Sequence, residues 1–184
     1  MEDKEDLSFK RVLGIDASTT TIGLSLLRYN DSDIQLEHCE YYKPPKKGGI
    51  FERLYFVREF ISKKIDELKP DFIALEDIVL FMAGNSTART ISSLAVLNRT
   101  VGLAVYEKTG EEPVLFNVTK IRHSIKKEKK MPKKEEIPEL VASILNVDFP
   151  YVFNKKGNPR KENFDVADSI ACALCYINNE RKNE

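Results

Sequence analysis

Val12-Leu-Gly-Ile-Asp16-Ala-Ser-Thr-Thr-Thr-Ile-Gly23 is the stretch on which the fold turns. An apolar run ends in an acid, a polar turn follows, and the chain re-enters an apolar run from Ile22 to Tyr29. Short apolar runs bounded by turn residues read as buried strands. Residues 11–16 are therefore expected to form a strand ending in Asp16, and residues 22–29 a second. Asn30-Asp-Ser-Asp33 is a turn signal, and residues 34–42 make a third strand, completing an antiparallel meander.

Beyond the meander the pattern changes period. Leu54, Val57, Phe60, Ile61, Ile65 and Leu68 recur at helical spacing across residues 50–69, and Lys69-Pro70 ends that helix. Phe72 to Leu75 is a short buried strand running into Glu76, and 77–86 is a loop. A helix is expected over 86–108, closed by Gly110, then a fifth strand over 114–118 and a helix at about 133–146. Residues 148–161, with Pro150, Gly157 and Pro159, read as an irregular loop, and 163–180 as the last helix. A meander followed by βαβ units gives an α/β fold, with a mixed five-stranded sheet flanked by helices. One domain over 10–180 is expected, with 1–9 and 181–184 as flexible tails.

Composition narrows the class. A chain of 184 residues, 42% apolar and 32% charged, is large enough for one well-buried core. Its 29 basic and 29 acidic residues cancel, but between Lys120 and Lys134 eight Lys or Arg face one Glu, a local net of +7. Three cysteines argue against a disulfide framework. Cys172 and Cys175 read as small buried side chains in a helix rather than zinc ligands, since no second ligand pair accompanies them. No run has membrane length, and the acidic start does not resemble a transit peptide, so a cytoplasmic location and no membrane partner are expected.

The acids carry the chemistry. Asp16 and Glu76 each end a strand, while Asp165 and Asp168 stand three apart near the start of the last helix, on one face of it. Hard oxygen ligands delivered to one point by three elements suit Mg²⁺ or Mn²⁺, the metals of phosphodiester chemistry. Each also has an ordinary reading as a solvated or capping carboxylate, and Asp77 is an alternative to Glu76. The lysine run suits phosphate contacts, with solvated surface charge as the plain alternative; Lys120, Arg122, Lys126 and Lys127 are the candidate DNA contacts within it. His123 is as well read as a surface histidine, and His38 has no role. The helix over 86–108 shows two apolar sides, Ile91, Leu94, Ala95, Val101 and Val105 on one, Val96, Leu97, Leu103 and Ala104 on the other. The second side calls for a partner or a neighbouring helix.

The order of elements, with acids ending strands one and four and on the last helix, resembles the ribonuclease H-like superfamily. Within it the chain resembles the RuvC family of Holliday-junction resolvases. The matching residues are Gly14-Ile-Asp16, Leu75-Glu76 and Asp165-Val-Ala-Asp168-Ser-Ile-Ala, together with Phe81-Met-Ala-Gly-Asn85 and Lys133-Lys-Glu-Glu-Ile137. The resemblance implies a homodimer formed through the 86–108 helix that cuts four-way DNA junctions by paired symmetric nicks. Two Mg²⁺ ions would be held by Asp16, Glu76, Asp165 and Asp168, with Mn²⁺ able to substitute and Asp16 touching both. Lys134 would steady charge on the scissile phosphate, with Lys133 as rival and second DNA contact. Phe81 and Asn85 would meet DNA near the junction centre, Phe81 by stacking, unless it anchors its loop to the core.

The chain departs from the family pattern at Ala17-Ser18, where Pro-Gly is usual. The loop before Phe81 and the 148–161 loop are longer, and Pro138 falls inside an expected helix, so that helix starts late or kinks. These departures suggest a divergent, phage-type branch and leave the cleavage preference open. Three other readings compete: a nuclease of the same fold acting on other branched DNA or structured RNA, a non-catalytic junction binder, and an ATPase lobe suggested by Gly14-Ile-Asp-Ala-Ser-Thr-Thr-Thr-Ile-Gly23.

Overall fold

Alternation along the central strands sets the layering. The computed structural model describes residues 9–78, 87–127 and 129–182. Strand β1 (Lys10–Ala17) pairs antiparallel with β2 (Ile22–Tyr29), which pairs antiparallel with β3 (Ile34–Tyr42). On its other edge β1 pairs parallel with β4 (Phe72–Glu76), and β4 pairs parallel with β5 (Val114–Phe116), so the sheet runs β3-β2-β1-β4-β5. Helices α1 (Ile50–Leu68) and α2 (Ala88–Thr109) pack on one face, against Leu13, Ile15, Leu24, Leu26, Ile73 and Leu75. Helices α3 (Val118–Ile125), α4 (Ile137–Leu145) and α5 (Glu162–Glu180) form the other layer, with Val12, Leu27 and Ala74 beneath them. Strands covered on both faces need apolar residues at almost every position, which is why the central runs show little polar alternation.

The same parity places the acids. Side chains two apart in a strand share a face. Asp16 therefore follows Val12 and Gly14, and Glu76 follows Ala74, onto the α5 side of the sheet.

Two glycines let α5 lie directly on the strands. A methyl group on Gly14 would collide with the Ser169 carbonyl oxygen and press to 2.9 Å from the Ala173 side chain. A methyl on Gly23 would run into the carbonyl of Asp165. Asp16 and Gly23 are partners in the β1–β2 ladder, so the first turns of α5 are seated over the end of β1. Ser25, the ladder partner of Gly14, is fully buried there. Cys172 and Cys175 lie farther along α5 as buried free thiols.

Several elements differ from the sequence-based expectation. Strand β5 ends at Phe116, and the next residues form α3, capped by Asn117, whose side-chain oxygen accepts from the Lys120 backbone N–H at 2.8 Å. The helix expected from 133 begins as a 3₁₀ turn at Lys134–Glu136, and α4 starts at Ile137, with Pro138 in its first turn, where a missing N–H costs nothing. The 148–161 loop contains a small hairpin: Phe153 bridges Pro159, Arg160 N donates to Val152 O at 2.9 Å, and Gly157 turns the tip at φ +77.

Helix α2 divides differently from the two sides read in its sequence. Leu97 and Ala104 join Val101 and Val105 in the core, and the outer stripe is Val96, Leu103 and Tyr106. The heptad step from Leu97 to Ala104 keeps them on one face with Val101, a period that a simple two-sided split misses. The ends are tied inside the stretches assigned to tails: Arg28 lies 4.8 Å over the Phe9 ring, and Arg181 donates to the Asn30 carbonyl at 2.5 Å. No described helix is long and apolar enough to cross a membrane.

Replacing Gly14 with Ala should lower stability by about 1–3 kcal/mol, because backbone, not a flexible side-chain end, must move to admit the methyl. Thermal unfolding followed by circular dichroism should show a fall of several degrees. An unchanged midpoint would mean that α5 is free to lift from the sheet.

Candidate functional site

The structure gathers Asp16, Glu76, Asp165, Asp168 and Lys134 at the carboxyl ends of β1 and β4 under the first turns of α5. Strand termini supply the first two acids, and the i,i+3 step of α5 supplies the second two. Lys134, at the start of the 3₁₀ turn, reaches across to them: Nζ lies 3.2 Å from an oxygen of Asp168 and 3.6 Å from one of Asp165. The two aspartate side chains are only 14–15% exposed while Lys134 is 45% exposed, so the lysine caps the cluster on its solvent side.

Buried carboxylates resist ionisation, and every acid here does. Burial pushes the Asp16 carboxyl well above its ordinary range, and the charges of Glu76, Asp168 and Asp165 add to it against the pull of Lys134. Glu76 rises to about 7, chiefly through burial and then Asp168, with Lys134 and Arg122 opposing. Asp165 and Asp168 are also raised by burial, each held back first by Lys134. Burial alone would depress the Lys134 ammonium, but Asp168, Asp165 and Asp16 outweigh it and the net shift is upward.

Neighbours hold the site. The buried Asn98 of α2 donates from Nδ2 to the Glu76 carbonyl at 2.8 Å, fixing the end of β4. Asp77, the alternative to Glu76, pairs with Arg99 at 3.1 Å on the α2 side. Thr21, buried in the turn after β1, lies beside Asp165 and favours its ionised form. Neither Asn98 nor Thr21 was singled out from sequence. An amide inside the apolar stripe Leu94–Val101 was the available signal for Asn98.

The basic candidates separate. Arg122 turns toward the acids: its charge acts on Glu76 and Asp168, and its Nε is buried without a hydrogen-bond partner among the described residues. Lys120 lies instead over the Phe116 ring, 4.9 Å from its centre, and is not part of the cluster. Lys126 and Lys127 line a separate cavity of about 440 Å³ with Glu135, Glu136 and Glu139, and Lys127 bonds Ser143. Their place on the far side of α4 follows from α3, which turns the chain before the lysine run begins. Lys133 is exposed at the cap of the 3₁₀ turn, its N–H donating to Glu136 at 2.6 Å. Phe81 and Asn85 lie outside the described residues.

Hard oxygen donors of this kind are the type that divalent cations take. Four acids share one lysine, and burial makes each resist ionisation. Among the described residues no three acidic, histidine or cysteine side chains already stand in a ready coordination cage. Asp165 and Asp168 turn to Lys134, the cation the cluster has.

The family model described as crossover junction endodeoxyribonuclease RuvC matches residues 12–176. A protein of that description from Finegoldia magna is 30% identical, over 91% of this chain and 92% of its own. The structure of Thermus thermophilus RuvC aligns with a TM-score of 0.70 at 22% identity, covering 94% of this chain and 96% of that one. The same protein in complex with Holliday junction substrate aligns at 0.68 and 21%, with the same coverage. At these identities the structural likeness speaks for a shared fold.

Metal-free protein should lose stability as pH rises from about 4.5 to about 7. Glu76 is protonated more readily folded than unfolded, so its contribution is full below its ordinary value of 4.5 and gone above about 7. Urea unfolding in chelator across this range should show that decline, and Glu76→Gln should flatten it. A stability that stays level for the unsubstituted chain would argue that the acids do not crowd one another.

Proposed function

This chain belongs to the RuvC family of crossover junction endodeoxyribonucleases, and on that premise we propose that it resolves four-way DNA junctions by metal-dependent hydrolysis at the Asp16 cluster. The observation that carries the proposal is the gathering of four ionisation-resistant acids from three elements under one lysine. Glu76, Asp168 and Asp165 all act on Asp16, which suits a carboxylate shared between two ions. Glu76 and Asp168 would each favour one ion, and Asp165 would complete the ligand set. Bound Mg²⁺ would supply the positive charge that acidifies an attacking water and steadies the departing oxygen, and Mn²⁺ shares the needed oxygen preference.

The protein's own groups do the rest. Lys134, released from Asp165 and Asp168 by competing cations, would meet the scissile phosphate. Arg122 has a buried nitrogen without a hydrogen-bond partner among the described residues and an anion-shaped fork. It would hold the phosphate from the β4–β5 side. Water adds to phosphorus, the bond to the 3′ oxygen breaks, and that oxygen takes up a proton, giving 5′-phosphate and 3′-hydroxyl ends. Phe81 and Asn85, and the lysines at 120, 126, 127 and 133, would serve DNA contact rather than chemistry. A bacterial relative supports a cytoplasmic location for this work.

The outer stripe of α2 supports a homodimer. Val96, Leu103 and Tyr106 are each about half exposed, and beside them a cavity of about 560 Å³ runs between Gly102, Leu103 and Tyr106 of α2 and Pro113 and Leu115 at β5. A second copy docking there two-fold would set two clusters on symmetric strands of a symmetric junction.

Two experiments test this reading. Asp16→Asn should reduce nicking of a labelled four-way junction by more than about a hundredfold while leaving its binding nearly intact, and chelator should do the same to the unsubstituted protein. Full activity of Asp16→Asn would remove the metal assignment, and tight binding with no nicking in Mg²⁺ or Mn²⁺ would favour a non-catalytic binder. Leu103→Glu should convert a dimer in sedimentation to a monomer and abolish paired nicking. A variant that sediments like the parent would sink the α2 interface.

A further inference from the structure

A second basic surface borders the cluster on the side away from Arg122. A cavity of about 500 Å³ opens beside Lys134 and Asp165, and Lys43, Lys46 and Lys161 stand on its walls with Thr20 and Thr21. Lys43 follows β3, whereas Lys161 precedes α5, so distant parts of the chain build it. Its orientation is set by charge: Lys43 acts on Asp165, while Arg122 acts on Glu76 and Asp168. The acids are thus flanked by cations on both sides.

The chain just before Lys161 forms the 152–160 hairpin, which is anchored rather than loose. Asn163, 2% exposed, accepts the Val152 N–H and donates to its carbonyl, both at 2.9 Å. Phe149, Tyr151 and Phe153 pack in sequence as tilted rings, with centroids 4.7 and 5.9 Å apart, and Tyr151 donates to Glu139 at 2.8 Å. Arg160 donates to the Tyr41 hydroxyl at 3.1 Å. This frame carries Lys155 and Lys156 at its exposed tip and Phe153, 54% exposed, on its flank. From Asn154 to Lys161 there are four cations and no acid. Lys43 is occupied by the buried Glu162, but Lys46, Lys155, Lys156 and Lys161 have no ion pair among the described residues. Several lysines without an ion pair among the described residues, carried by the cavity wall and by an anchored hairpin that leads into it, call for an extended anion, and a nucleic-acid backbone is one.

We propose that this cavity and hairpin form a second DNA-backbone site, holding successive phosphates of one junction arm on the β3 side of the scissile bond, so that the cut strand is gripped on both sides of the acids. The assignment rests on the junction-cleaving reading above and adds residues to it: Lys46, Lys155, Lys156 and Lys161 bind phosphate, and Phe153 packs against the adjoining sugar or base.

The test uses the full chain and an immobile four-way junction in chelator, so that binding is read without cutting. Replacing Lys46, Lys155, Lys156 and Lys161 together with Gln should weaken binding at least tenfold at moderate salt. It should also reduce the slope of log affinity against log salt by about 2–4, at roughly 0.9 for each phosphate no longer neutralised. Uncharged methylphosphonates placed singly along the strand should weaken the unsubstituted protein at neighbouring positions on one side of the nick and leave the variant indifferent there. A melting midpoint equal to that of the parent shows that the variant folds; Lys155→Gln with Lys156→Gln, at the exposed tip, gives a milder version of the same readout. An unchanged slope, or an interference pattern shared by both proteins, would overturn the proposal. The unsubstituted chain nicks the same junction when Mg²⁺ is added if the functional reading holds. Binding with a lysine-dependent pattern but no nicking would fault that reading alone, and absence of binding would overturn both.

Discussion

Everything at the acidic cluster depends on the direct contact of α5 with β1 and β2. Gly14 and Gly23 remove the side chains that would hold the helix off, and the Ser169 and Asp165 carbonyls occupy the space released. A helix resting one side chain farther out would carry Asp165 and Asp168 away from Asp16 by a comparable distance, too far for carboxylates to share ions or a lysine. The glycines act through packing rather than backbone freedom: neither has a positive φ. The β1–β2 ladder then fixes the register, because Asp16 and Gly23 are partners in it.

That contact has an electrostatic cost. Burial raises the pKa of all four acids, and neighbouring acids add to this at Asp16, Glu76 and Asp168, so the fold gathers charge that it must hold partly neutralised. Lys134 lessens the repulsion without removing it. Its position on a 3₁₀ turn rather than inside α4 matters, since the turn lets the side chain reach Asp165 and Asp168. Pro138 enforces this arrangement by keeping α4 from starting earlier.

The central sheet was legible because its signals are local. Apolar runs, turn residues and strand-end acids state both the elements and the side of the sheet on which the acids emerge. Helix α3 was not legible as a helix, since its eight residues carry few apolar positions and lie inside a basic run that masks the Asn117 cap and the Ile121–Ile125 step. Missing it blurred the basic candidates: α3 sends Arg122 inward and Lys126 and Lys127 outward, a division that composition cannot make. Likewise the choice between Lys133 and Lys134 depends on the turn geometry, and the inner and outer faces of α2 depend on which neighbours cover it. The 148–161 segment read as irregular because its order comes from Asn163 and a row of aromatic rings, tertiary contacts that leave no periodic trace.

Asn98 joins two parts of the molecule that otherwise have separate duties. Its amide is bolted to the carbonyl of Glu76, while Val96 and Leu103 on the same helix face outward. Helix α2 therefore reaches from the backbone beside one acid to the open surface of the molecule. A displacement of α2 would thus be felt at the end of β4 through that single amide.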